Sequence, residues 1–249
     1  MKFITKFKSP NFNDRKNNKI LFIIIHYTAI KNNNDAISHL CNAKNKVSSH
    51  FLISQNGNIF KLVNEKKRAW HAGKAYWNGI RDINSCSLGI ELDFSNNKIN
   101  NKYSNQMIKA LIVLLKKFKK KYKIKSCNIL GHSDISPYRK KDPGKKFPWH
   151  KLSKYDLAYK ISVKDEIKIN IIKDWFIKYR INTSKKIALF ILGFIGYDTT
   201  YIRENKNLFK NLIFAYQLHY VQKNITGKVD KLTLKFLINH LLNKLLTKK

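Results

Sequence analysis

The chain has 249 residues, 43% hydrophobic and 12% aromatic, which is enough to bury a core and to build one large or two modest domains. Lys and Arg number 50 against 15 Asp and Glu, a formal net charge of +35 that demands either an anionic partner or a basic background. No run approaches the roughly 18 to 20 apolar residues of a membrane span: the longest candidate, Ile187 to Tyr197, is shorter and is interrupted by Gly193 and Gly196.

Residues 1–20 are polar and basic, with no apolar core or small-residue cleavage site, so no secretory signal is expected. Leu21-Phe22-Ile23-Ile24-Ile25 reads as a fully buried strand that stops at His26-Tyr27-Thr28. Asp35 is expected to cap a short helix carrying Ala36, Ile37, Leu40 and Ala43, with His39 structural. His50 to Ile53 and Ile59 to Val63 flank Asn56-Gly57, a strong hairpin signal, and His50, near a strand start, is placed to line the cleft or, as the first reading, to pack. The aromatic stretch from Trp70 to Asn78 is a loop whose rings and amides suit sugars and peptide backbones, or simply cover a sheet. Leu88-Gly89-Ile90-Glu91-Leu92 is a third apolar strand, and its glutamate needs a partner or a job.

Ser104 caps a long amphipathic helix bearing Met107, Ile108, Leu111, Leu114, Leu115 and Phe118, and its terminal lysines complement the helix dipole. The strand Cys127 to Leu130 then delivers Gly131-His132-Ser133-Asp134 and a Gly- and Pro-punctuated loop holding Lys140 and Asp142. A histidine behind an apolar run is more often a packed strand-end residue than a ligand. Here two such histidines, an aspartate in a rigid loop and a strand glutamate meet where strand ends of one sheet converge. His132 and Asp142 are groups a zinc ion accepts, and His26 is the best third candidate. Strands alternating with helices predict an α/β fold, a mixed central sheet flanked by helices. From about residue 162 the texture is all-helical, with candidate helices Ile167–Tyr179, Ser184–Leu192, Leu208–Val221 and Lys231–Leu246 forming a small C-terminal all-α domain. Cys41, Cys86 and Cys127 form no metal-binding pair and read as small buried hydrophobes.

His26-Tyr27-Thr28-Ala29, Ala69-Trp70-His71-Ala72-Gly73, Leu88-Gly89-Ile90-Glu91-Leu92, Gly131-His132-Ser133-Asp134-Ile135 and Lys140-Lys141-Asp142-Pro143-Gly144 together resemble the zinc-dependent N-acetylmuramoyl-L-alanine amidases of the AmiD and AmpD group. The resemblance implies an amidase domain over residues 17–161, with the fold shared by peptidoglycan-recognition proteins. It implies zinc on His26, His132 and Asp142, general acid/base work by Glu91 and transition-state stabilisation by Lys140, and it places Trp70, His71 and Asn84 at the substrate rim. Phe214-Ala215-Tyr216-Gln217-Leu218 and Gly227-Lys228-Val229-Asp230-Lys231-Leu232-Thr233 resemble the small helical peptidoglycan-binding domain, assigned here to residues 162–249. The implied partner is peptidoglycan or a muropeptide, not nucleic acid, with the protein a monomer. The two rival classes are a non-catalytic recognition module on the same fold and a basic nucleic-acid-binding protein. Lys, Asn and Ile are spread along the whole chain, so the charge reads first as coding background. A wall-binding domain points to the cell envelope, while the missing signal points to the cytoplasm.

Overall fold

The computed structural model describes residues 2–16, 19–95, 102–162, 166–203 and 206–246; residue 17, where the sequence places the start of the first domain, lies outside them. Its elements are β1 (Phe12–Asp14), β2 (Phe22–Tyr27), α1 (Asn33–Cys41), β3 (Phe51–Ile53), β4 (Ile59–Lys61), β5 (Lys67–Ala69), β6 (Ser87–Leu92), α2 (Asn105–Tyr122), β7 (Ile129–Gly131), α3 (His132–Ile135), α4 (Trp149–Ser153), α5 (Glu166–Lys178), α6 (Ser184–Ile195), α7 (Lys206–Tyr220) and α8 (Lys231–Leu246). The chain divides into two compact units, one made of residues 1–75, 81–132 and 142–159, the other of residues 76–80, 133–141 and 160–249.

The first unit is built on a mixed five-stranded sheet in the order β4-β3-β6-β2-β7. β2 runs parallel to β6 and β7, β3 runs parallel to β6, and β4 closes an antiparallel hairpin on β3. Side chains alternate across a strand, so β6 separates Leu88, Ile90 and Leu92 from Ser87, Gly89 and Glu91. The apolar set joins Ile23, Ile25, Phe51 and Ile53 in a core with Met107, Ile108, Leu111, Leu114, Leu115 and Phe118 of α2. Each of those side chains contributes about 1.5–3 kcal/mol by leaving water. On the other face α1 packs Ala36, Ile37 and Leu40 against Leu52, Phe60 and Leu62. That second face also carries Glu91, which pairs in register with both His26 and Leu52.

Local signals explain most boundaries. Ser104 accepts from the Met107 N–H at the start of α2, and Lys123 ends the helix in a left-handed conformation at φ +52°. Gly57 takes φ +83° in the β3–β4 turn. The α1 cap is Asn32 rather than Asp35: its side-chain oxygen accepts from the Asp35 N–H at 2.9 Å, and Asp35 falls in the first turn, where its carboxylate takes an N–H of the Asn32 amide. Ala43 lies beyond α1, in a single 3-10 turn. The short pairing of β1 with β5 has no alternating pattern in the sequence, since all three residues of β1 are exposed. Cys86 is buried and Cys41 and Cys127 half-buried, and the three form no disulfide with one another.

In the second unit α6 to α8 bury Ile191, Leu192, Leu212, Ile213, Tyr216, Leu237, Ile238 and Leu241. Gln217, fully buried in α7, ties down the link to α8: its oxygen accepts from the N–H groups of Thr226 and Gly227, and its amide donates to Lys228 O and Thr233 Oγ1. Asp230 accepts from the Thr233 N–H as the cap of α8. Among the described residues no helix is long and apolar enough to cross a membrane.

Candidate active site

Parallel pairing sets His26 of β2 opposite Glu91 of β6, and Ile25 opposite Gly131 of β7. The residue after Gly131 is His132, so adjacent strands bring the two histidines level at their C-terminal ends. Asp142 reaches the same point from the following loop. His26 Nδ1 stands 3.0 Å from His132 Nδ1 and 3.2 Å from Asp142 Oδ2, and His132 Nδ1 stands 3.0 Å from the same carboxylate oxygen. All three side chains are buried, and they are the group of metal-capable residues found among the described residues.

Two ring nitrogens and a carboxylate crowded this closely make a poor protein-only arrangement and a good metal site. Tetrahedral ligands at about 2.0–2.1 Å from an ion lie roughly 3.3 Å from one another, close to the spacing found. Ring chemistry agrees. His132 Nε2 lies 3.1 Å from the carbonyl of Ala72, which can only accept, so that nitrogen carries the proton and the Nδ1 lone pair faces His26 and Asp142. Burial alone would raise the Asp142 carboxyl, but the His132 and His26 rings beside it hold it far below the usual carboxylate range. The carboxylate is therefore ionised, as a ligand must be.

Around this centre the loop from Trp70 is held from behind. Asn84 Oδ1 accepts from the N–H groups of His71 and Ala72, at 3.1 and 2.9 Å. His71 is buried, with Nδ1 3.0 Å from His26 Nε2 and Nε2 3.1 Å from Ser87 Oγ. Burial first, and then the neighbouring His26 ring, push His71 well below the ordinary histidine value, so it is neutral. Trp70 is half-buried and its indole donates to Asn13 Oδ1 at 2.9 Å. Glu91 is half-buried on the same sheet face as His26. Lys140 is half-buried on the loop leading to Asp142, its backbone N–H donating to Ser136 O.

Three further residues support the centre. Gly89 leaves room for the imidazole, since a Cβ there would come within 2.5 Å of His71 Cγ. His50, fully buried, accepts from the Gly89 N–H at Nδ1 and faces Lys67 O with Nε2. Tyr103 donates to Pro143 O beside Asp142. Of these, His50 is legible in the sequence as a strand-start residue placed to line the cleft and Gly89 as part of the strand that carries Glu91, whereas Tyr103 leaves no trace.

A sequence model described as N-acetylmuramoyl-L-alanine amidase matches residues 16–145. The chain is 32% identical over 227 residues to N-acetylmuramoyl-L-alanine amidase AmiD of Escherichia coli, covering 85% of this chain and 79% of that one. It is 38% identical over 106 residues to 1,6-anhydro-N-acetylmuramyl-L-alanine amidase AmpD of Haemophilus influenzae, covering 43% and 56% of the two chains. The solved complex of E. coli AmiD with anhydro-N-acetylmuramic acid-L-Ala-D-gamma-Glu-L-Lys superposes with a TM-score of 0.75 at 27% identity, over 97% of this chain and 92% of that one. With the motifs, the mixed sheet and the His-His-Asp centre all in agreement, this chain belongs to the N-acetylmuramoyl-L-alanine amidase family.

Proposed function

We propose that the chain is a zinc amidase that cleaves the amide joining N-acetylmuramic acid, or its anhydro form, to L-alanine in peptidoglycan or muropeptides. The observation that carries this reading is the meeting of His26 Nδ1, His132 Nδ1 and Asp142 Oδ2 at 3.0–3.2 Å. His26, His132 and Asp142 would hold zinc, which would supply a Lewis acid able to activate water near neutral pH. The protein's own groups do the rest. Glu91, level with His26 on the next strand, takes the proton of the attacking water and passes it to the L-alanine nitrogen, which cannot leave as an anion. The C–N bond breaks, the water oxygen stays on the lactyl carbonyl carbon as a carboxylate, and the peptide departs as an amine. The Lys140 ammonium is assigned to the oxyanion that develops on that carbonyl. Trp70, half-buried at the start of the loop, is the candidate contact for sugar or peptide.

The helical region from residue 162 is read as a wall-binding module and the envelope as the place of action. Support comes from the likeness of Phe214 to Leu218 and Gly227 to Thr233 to the small helical peptidoglycan-binding domain, and from a chain net charge of +35, opposite in sign to the carboxylates of stem peptides. The purified chain should release the intact peptide from an anhydro-muropeptide, read by mass spectrometry. A chelator should stop it and zinc should restore it. Cleavage at any other bond, or zinc-loaded protein without turnover, would contradict the assignment.

A further inference from the structure

His71 touches one of the metal-capable histidines directly, yet it is buried and turned away from solvent, a poor place for a substrate contact. Its surroundings run in one direction. Ser87 Oγ lies 2.6 Å from the carbonyl of Ile83, which can only accept, so the serine proton points there and its oxygen is left to accept. His71 Nε2, 3.1 Å from that oxygen, then carries the ring proton and donates. The neutral ring's other nitrogen, Nδ1, is left as an acceptor 3.0 Å from His26 Nε2. Gly89 clears the space the ring occupies against β6, and Asn84 fixes the backbone on which it rides.

Resting on the reading of His26 as a zinc ligand, we propose that His71 is a positioning residue: it accepts the Nε2 proton of His26, locks the tautomer that presents Nδ1 to the metal, and passes the restraint through Ser87 to the carbonyl of Ile83. His132 is served in the same way by the carbonyl of Ala72, the next residue along the same loop. One short stretch, His71-Ala72, thus orients both histidines, one through a side chain and one through the backbone. Outer partners of this kind fix ring orientation and raise ligand basicity, and their loss costs about 10- to 100-fold in metal affinity.

The test measures zinc affinity of the full chain by competition with a chromophoric chelator, beside circular dichroism of the metal-free protein. His71→Leu, which removes the acceptor, should weaken zinc binding about 10- to 100-fold. His71→Asn, whose side-chain oxygen can stand near the position of Nδ1, should recover most of the loss. Cobalt-substituted His71→Leu should also show shifted d–d bands, a change that lost packing elsewhere would not produce. Should His71→Leu fail to fold, His71→Gln, whose longer amide reaches toward Ser87 instead of His26, is measured in its place with the same expectation. A folded Leu or Gln variant binding zinc within about twofold of the wild type overturns the proposal, as does an Asn variant no tighter than Leu. A wild-type chain that fails to bind zinc at all would instead overturn the zinc reading itself, so the two failures are distinguishable.

Discussion

Glu91 and His26 face each other across two parallel strands, and the roles proposed for them make opposite demands on one substitution. Glu91→Gln keeps shape and volume but cannot take a proton. It should retain stoichiometric zinc while kcat falls about 10²- to 10⁴-fold, the usual cost of losing a general acid/base. Undiminished kcat would remove Glu91 from the chemistry. His50 makes a separate prediction about stability. Burial first, and the Arg15 guanidinium next, push it down to about 3 from an ordinary 6.5. Between those values the unfolded chain binds a proton that the folded chain refuses, so its contribution is complete above about 6.5 and is lost as pH falls toward 3. One such group costs up to about 1.4 kcal/mol per pH unit in that window. Denaturant titrations between pH 4 and 7 should show that slope, and His50→Gln should flatten it; an unchanged slope would mean that other groups carry the acid sensitivity.

At the scale of elements, the strands that carry the site were readable because each is short, apolar and stopped by a polar residue. Leu21 to Ile25 ends in His26, and Leu88 to Leu92 holds its one glutamate at the position that faces the site. The long helix was equally plain, since Ser104 and the 3- and 4-residue spacing from Met107 to Phe118 name its cap and its buried face. What could not be read depends on distant partners. Asn32 and Asp35 are equally good caps by residue type, and the choice between them is made only once the chain has turned. The β1–β5 pairing and the seat of His71 on Gly89 join segments with no shared local pattern. The loop that holds His71 was visible as aromatic and polar, but its inward direction was not.

The whole molecule divides less simply than a boundary at residue 161 or 162 suggests. Residues 133–141, the loop lying between His132 and Asp142 in sequence, group with the helices. Within that unit the fully buried Asp134 carboxylate takes the Tyr197 hydroxyl at 2.5 Å and the His219 ring at 2.7 Å, and Tyr138 donates to Asp198 O. These partners lie 63 and 85 residues from Asp134, too far for any sequence pattern to announce. All the proposed catalytic residues precede Pro143, so a chain cut after 161 contains the chemistry; it also strips the Asp134 carboxylate of the two donors that satisfy it. Each hydrogen bond lost there removes about 0.5–1.5 kcal/mol. The truncated chain should therefore unfold at lower denaturant and lose zinc more readily than the full chain, and equal midpoints would restore a cleanly separable helical module.

The central claim is that His26, His132 and Asp142 hold one zinc ion. Anomalous diffraction at the zinc edge, from crystals of the zinc-loaded protein, tests it most directly. The expected result is a single strong peak about 2.0–2.1 Å from His26 Nδ1, His132 Nδ1 and Asp142 Oδ2. A peak elsewhere, or one bound through the Nε2 of either histidine, would contradict it.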